Sequence, residues 1–358
     1  MDYKEFKESF KNDIKAALGD KGMDVTVEEN RMEKLNQAYD AVSIKPEGSR
    51  IGVNLNMESA YKAYENGTPF EEVVAKAAES AASALENVPD LDIDSLTDYS
   101  VMKEKLSMEV VSADRNEEML KNVPHKQMED MAVVYRLVLD ENNSGNGTIL
   151  VTDKMMEQFG VTPEQLHEDA MKNSPEIRPS EIKGMSEILG EMMGTDAIPM
   201  IDPADEQMFV ATVPDKNRGA GVIAYPDFME DAAVKLEGDF YVIPSSVHEV
   251  ILVKDDGRMT AKDLEAMVKD VNATQVAPED RLTDHVYHYD SKEHLFELAD
   301  KYEQRQSEND IEKDTDERTD GKDSVLGDLK AKKEEAAKKA PEKHAKDAVK
   351  KTRGGEAL

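Results

Sequence analysis

The stretch "IPSSVHEV", residues 243–250, places Ser245, Ser246, His248 and Glu249 almost side by side. A hydroxyl, an imidazole and a carboxylate are the groups a serine hydrolase brings together. Their spacing argues against that use. In an extended chain Ser245 and His248 point to opposite faces. In a helical turn the two could meet, but Glu249 adjoins His248 and cannot easily reach around its ring. No G-x-S-x-G elbow and no glycine-built oxyanion loop accompany them. The competing reading is a strand end. Pro244 has no N–H for a ladder, and Ser246-Val-His-Glu249 fits a capping box that starts one turn. On that reading no catalytic residue is assigned. Ser245, Ser246, His248 and Glu249 are then at most a ligand or partner site, and a hydrolase built on Ser245 and His248 is the alternative.

A second set, His285, His288, Asp290 and His294, lies in "HVYHYDSKEH". Metal ligands must converge on one point. In a strand His285 and His288 face opposite sides, and only His288 and Asp290 share a face. The chain has no cysteine, which excludes disulfides, thiol nucleophiles and Cys-ligated zinc. "DERTDGKDSVLG" is a poor calcium loop, with Arg318 where a third-position oxygen ligand belongs and Gly327 where the bidentate Glu belongs. No metal site and no cofactor is expected. There is no Walker A motif and no dinucleotide glycine fingerprint. "RGAGV" reads as a hairpin turn. "GMSEILGEMMG" (184–194) carries Met and Leu at helical spacing, which means core packing or a partner-facing helix.

The elements that would position these residues follow from periodicity. Tyr3, Phe6, Phe10, Ile14 and Leu18 define an amphipathic N-terminal helix whose other face is charged, so it is not a signal peptide. Three later segments share a hairpin-then-helix pattern. In the first, alternating runs flank "KPEGS", and a helix starts at Thr68-Pro69-Phe70-Glu71. Thr68 is read as its N-cap and Glu71 as the partner in a capping box. Phe70, Val73, Val74, Ala77, Ala78, Ala81, Ala82 and Leu85 form its apolar stripe. In the second, "DENNSGNG" joins two strands, and Thr162-Pro163-Glu164-Gln165 repeats the capping logic. The third, "MFVATVPDKNRGAGVIAYPDFMEDAAVKL", reads as hairpin and helix only. "FYVIPSS" and "EVILV" read as central strands covered on both faces. "TAKDLEAMVKDV" is a helix with Leu264, Met267, Val268 and Val271 on one face, "DHVYHYDS" is a strand, and "SKEHLFELADKY" is the last helix.

The 358 residues carry 45 Lys and Arg against 77 Asp and Glu, a net charge of −32. From Gln304 to Leu358 the two signs balance at 14 each, so the excess lies in residues 1–303. Such a body repels nucleic-acid backbone and anionic membrane. Solubility is one use for it; mimicry of DNA, to occupy a DNA-binding protein, is the other. No stretch approaches the roughly 20 apolar residues of a membrane span, and a cytoplasmic protein is expected. Beyond residue 303 the composition turns to Lys, Glu, Asp and Ala and cannot bury a core. That tail is expected to be disordered or transiently helical, and its basic end, 330–358, is the one part suited to nucleic acid.

The order of "ILVTDKMMEQFGVTPEQLHEDA", "GAGVIAYPDFMEDAAVKL" and "FYVIPSSVHEVILVKDDG" resembles a family of acidic proteins from anaerobic gut Firmicutes. That family is catalogued only as a domain of unknown function, and its members often travel with mobile elements. The resemblance covers roughly residues 1–300. It implies a bacterial cytoplasmic setting and a role accessory to a mobile element, and it brings no functional residue.

The expected fold is α+β, a mixed, largely antiparallel sheet built from hairpin-then-helix units. Residues 1–86 form an N-terminal unit, 87–106 an acidic connector, 107–303 the main domain and 304–358 the tail. A division into two α+β domains near residues 87–106 is the alternative. The expected function is a non-enzymatic interaction or accessory protein with an unidentified protein partner. A DNA-mimicking inhibitor and a hydrolase are the other two readings.

Overall fold

The computed structural model describes residues 1–49, 51–87, 95–139, 147–193 and 205–309. Asp2 starts the first helix, α1 (Tyr3–Asp20). Its carboxylate accepts from Glu5 N at 2.8 Å, and the Glu5 side chain takes the Asp2 N–H at 3.2 Å. The 3.6-residue period brings Phe6, Phe10, Ile14 and Leu18 to one face, and all four are buried. β1 (Val25–Lys34) and β2 (Gln37–Pro46) pair antiparallel from Val25↔Pro46 to Lys34↔Gln37. Asn36 makes the turn in the left-handed region, at φ 58°. β3 (Val53–Asn56) completes the expected hairpin with β2 across "KPEGS", in a sheet ordered β1-β2-β3. β1 carries no sequence signal past Val27, because most of its side chains are charged or polar and exposed.

α2 (Met57–Glu65) and α3 (Phe70–Glu86) join α1 over this sheet. Phe6, Phe10, Val42, Ile44, Val74, Ala78 and Ala81 belong to one core. The start of α3 corrects the capping expectation. Pro69, not Thr68, occupies the cap position, and no side-chain cap bond is made. Glu71 is therefore not part of a capping box.

The second sheet is built on β6. α4 (Tyr99–Met102) leads into β4 (Leu106–Ser112), and α5 (Glu117–Leu120) into β5 (His125–Met128). β6 (Met131–Val138) pairs with β4 on one side and with β5 and β7 (Thr148–Leu150) on the other. The loop "DENNSGNG" lies outside the described residues except for Gly147. β4 is buried along its whole length, with α6 (Asp153–Phe159) following β7 and α7 (Pro163–Ile177) packed on β4. Here the capping expectation holds for the helix start. Thr162 accepts from Gln165 N at 3.2 Å, with Pro163 in the first turn.

The third sheet has six strands in the order β13-β12-β10-β11-β9-β8. Its parts are β8 (Glu181–Gly184), α8 (Met185–Met193), β9 (Met208–Thr212), α9 (Phe228–Leu236), β10 (Phe240–Ile243), β11 (Val250–Lys254), α10 (Ala261–Thr274), β12 (Tyr287–Asp290) and β13 (Leu295–Leu298). β10 and β11 are central, as their unbroken apolar runs imply. Phe240, Val242, Val250 and Leu252 face the main core shared with β4 and β6. Tyr241, Ile243 and Val253 face a smaller core under α10.

Three expectations fail in this region. The third hairpin does not form: Gly219–Ala224 is a buried 3₁₀ turn instead of a strand. Gly221 explains it, because a Cβ there would lie 2.7 Å from Met108 O, so the turn is pressed against β4. "SKEHLFELADKY" begins as β13, and the chain becomes helical only at Ala299. On α10 the buried stripe is Ala261, Leu264, Val268 and Asn272, while Met267 is exposed.

The fold class is α+β, and every strand pair among the described residues is antiparallel. Residues 1–300 make up one structural unit. Of residues 301–358 only 301–309 are described, and they are helical. The rest of the charged tail, including its calcium-like stretch, lies outside the described residues, as do residues 88–94 of the connector. No described helix is long and apolar enough to cross a membrane.

Candidate functional site

β10 stops at Ile243 and β11 resumes at Val250, leaving Pro244–Glu249 as the connection. This segment is tied to three others. Leu282 N donates to Ser245 O at 3.2 Å and Val247 N donates to Asp280 O at 2.8 Å. Ser246 forms an isolated antiparallel bridge with Arg281. On the other side Ala220 N donates to Val247 O at 3.1 Å, and the Thr212 hydroxyl donates to His248 O at 2.7 Å. Gly219 must be glycine for this crossing. A Cβ there would lie 2.1 Å from Thr212 Oγ1 and 2.6 Å from His248 O.

The side chains follow the same pattern. The Ser246 hydroxyl accepts from His248 N at 3.1 Å, two residues on. It therefore closes a local serine turn and not the capping box expected with Glu249. His248 Nδ1 accepts from Arg218 N at 3.2 Å. The ring proton is then on Nε2, which faces Asp280 Oδ1 at 3.2 Å. Both ring nitrogens are engaged. Among the described residues, no seryl hydroxyl bonds to either of them. Ser245 is buried. Glu249 is exposed and points to a different neighbourhood, described below.

Arg218 extends the arrangement inward. Its backbone is left-handed, at φ 55°, and its guanidinium pairs with Glu109 Oε1. Arg136 takes the other oxygen, Oε2. Glu109 is only 2% exposed, so one buried carboxylate bridges two arginines. Asn36, at the β1–β2 turn, reaches the same region from the N-terminal sheet. Its side-chain amide donates to Glu279 O at 2.9 Å and Arg281 O at 2.6 Å, and its N–H donates to Asn116 Oδ1 at 2.7 Å. None of these long-range pairs has a spacing or motif that sequence could display.

The histidines of the second set go to separate carboxylates. His285 Nδ1 lies 3.4 Å from Glu265, His288 Nε2 3.0 Å from Asp255, and His294 Nδ1 3.6 Å from Glu230. His288 is fully buried, edge-on to Tyr241. The hydrogen bond to His288 holds the Asp255 carboxyl below its usual range. Asp290 accepts from Lys292 N and Glu293 N in its own turn. No group of three or more His, Asp or Glu among the described residues is placed to hold a metal ion.

One further histidine, not marked by any motif, sits in a polar cluster on α7. Lys126 Nζ donates to His167 Nε2 at 3.1 Å, so His167 Nδ1–H donates to Tyr135 OH at 3.0 Å. Burial, then the Lys126 charge, pushes the His167 pKa down. Burial pushes Tyr135 up to about 12.

Two cavities draw different lining residues from the same two stretches, 177–183 and 212–216. One, of about 420 Å³, is lined by Lys105, Leu139, Ile177, Arg178, Val213 and Asp215, with Arg178 closed onto Asp215 at 2.7 Å. The other, of about 260 Å³, lies between α8 and the outer face of β8, β9 and β11. Met185, Ile188, Met192, Val210 and Ile251 give it an apolar lining; Glu249 and Lys216 stand at its rim. α8 also leaves apolar surface in water: Leu189 is 40% exposed, Met192 77% and Met193 64%. Their spacing puts them on one helix face. Of the two meanings given to "GMSEILGEMMG", core packing does not describe Leu189, Met192 and Met193, which stand in water.

A model of a family of unknown function, DUF5688, matches residues 3–291, and the chain belongs to that family. Comparison with curated proteins and with solved structures gives no match.

Proposed function

We propose that this chain is a non-enzymatic accessory protein that works by binding a protein partner at the α8 groove. The observation that carries the reading is the exposed Leu189, Met192 and Met193 face beside an apolar cavity of about 260 Å³. Contiguous apolar patches on the surface of monomeric proteins are often functional. Full burial of a wholly exposed side chain of this size contributes about 1.5–3 kcal/mol, and covering the exposed parts of these three contributes a fraction of that for each. Methionine suits the task because its unbranched thioether adapts to different partners.

The Ser245–His248 segment supports the non-enzymatic half of the reading. Its hydrogen-bonding groups are used in joining the 212–220 and 280–282 segments, and the imidazole has no lone pair left for a hydroxyl. We assign these residues a structural role and Glu249 a place on the groove rim. The test is affinity purification from the native host with three baits: the wild type, Met192→Glu/Met193→Glu and His248→Ala. A partner lost with the α8 variant supports the proposal. Labelling of Ser245 or Ser246 by a fluorophosphonate probe, abolished by His248→Ala, would overturn it.

A further inference from the structure

We infer that the occupant of the α8 groove is an amphipathic helix with a basic outer face. The inference rests on the partner-binding reading above and names the chemistry of the partner.

The shape comes first. The outer face of the six-stranded sheet is covered by α10 over β10 and β11, where Tyr241, Ile243 and Val253 pack under Ala261, Leu264 and Val268. At the β8 edge of the sheet stands α8. The cavity floor is the row Lys183–Val210–Ile251, in register across β8, β9 and β11. A sheet face takes helices as its covering layer, whereas an added strand would need the open hydrogen-bonding edge of a strand and not its face. The lining already combines one helix with that face, so a second helix seats its apolar side against both. A cavity of ~150 Å³ accommodates benzene, so about 260 Å³ takes one or two anchoring side chains.

The charge comes second. Glu181, Glu191 and Glu249 line the groove, and Glu187 lies one turn from Glu191 on α8. Against them stand Lys183 and Lys216. Lys183 is closed onto Glu191 at 2.7 Å, and in all four carboxylates stand against two ammonium groups. The groove is set in a body that carries the whole −32 of the chain. A second copy of the chain would bring that charge, and its own Glu187 and Glu191, against an acidic rim. A basic helix meets both the apolar floor and the carboxylates, with an attraction that salt screens.

The experiment uses the full chain and fluorescein-labelled peptides of about 18 residues, long enough for five helical turns. One has Leu and Lys in amphipathic order, one has the same composition scrambled, and one has Leu and Glu in amphipathic order. Binding is read by anisotropy at two salt concentrations. The ordered Leu–Lys peptide should bind about tenfold or more tighter than the scrambled one, which corresponds to about 1.4 kcal/mol. Met192→Glu/Met193→Glu should erase that difference while circular dichroism stays unchanged, since both side chains are already exposed. Glu181→Lys/Glu249→Lys should weaken the Leu–Lys peptide and strengthen the Leu–Glu one. Equal binding of ordered and scrambled peptides would show attraction to the acidic body alone and overturn the inference. So would equal binding of the Leu–Lys and Leu–Glu peptides, or self-association abolished by the α8 variant. A purified partner that requires Met192 and Met193 but has no basic amphipathic helix overturns this inference and leaves the partner-binding reading standing.

Discussion

Glu109 is a buried charge with two partners. Its carboxylate is buried and divided between Arg136 and Arg218. Removing one member of such a group leaves the others uncompensated. Glu109→Ala should therefore cost about 3 kcal/mol in urea unfolding, and it should also free Arg218 to release His248. His167 gives the pH dependence. Its folded pKa lies below the ordinary value of about 6.5, so the unfolded chain takes up the proton first. Stability is fully present above about pH 6.5 and is lost as the pH falls toward the folded pKa. Protonation also puts a second positive charge beside Lys126. The drop in urea midpoint between pH 7.5 and 5.5 should be smaller in His167→Gln than in the wild type. An equal drop in both would place the pH response elsewhere.

Among the elements, α3 and α7 begin with the same Thr-Pro pair and use it differently. Thr162 caps α7 through Gln165 N, whereas Thr68 makes no cap bond to α3. Thr162→Ala should lower stability by about 1 kcal/mol. Thr68→Ala should change it by less than about 0.5 kcal/mol. Thermal melts of the two variants decide the matter, and a loss at Thr68 equal to that at Thr162 would contradict the cap assignment. The difference is tertiary. Phe70 at the head of α3 packs edge-on against Phe6 and Tyr64, so the start of α3 is set by ring packing more than by its cap.

At the scale of the whole molecule, a continuous set of hydrogen bonds runs from the N-terminal hairpin to the β10–β11 connection. Asn36 holds residues 279 and 281, residues 280–282 hold Ser245 to Val247, and His248 is held by Arg218. The Asn36 side chain also accepts from Asn116 Nδ2 at 2.8 Å. Asn36→Ala removes its three side-chain bonds and a residue suited to left-handed backbone. It should cost about 2 kcal/mol, at about 1 kcal/mol net per lost bond with discounting for exposure. Hydrogen exchange should accelerate at residues 277–283 and 245–248 as well as at the hairpin tip. Acceleration confined to the tip would show that the bonds do not act as a unit.

The sequence by itself determined the local elements: α1 from the Phe6, Phe10, Ile14 and Leu18 period, the β2–β3 and β6–β7 hairpins from their turns, and β10 and β11 from unbroken apolar runs. These are legible because period and turn chemistry act between residues close in the chain. It also marked α8 as core or partner-facing, without choosing. Tertiary structure decided the rest. Burial under β4 turned "RGAGV" into a 3₁₀ turn, pairing with β12 drew Leu295–Leu298 into a strand, and β1 became a strand by pairing with β2 despite its charged surface. The candidate site shows the same division. Ser245, Ser246, His248 and Glu249 were visible as chemical types in one short stretch. Their partners, Arg218, Asp280 and Thr212, lie 30 to 36 residues away from His248 in the chain, and only folding determines which of them a ring nitrogen or a carbonyl meets.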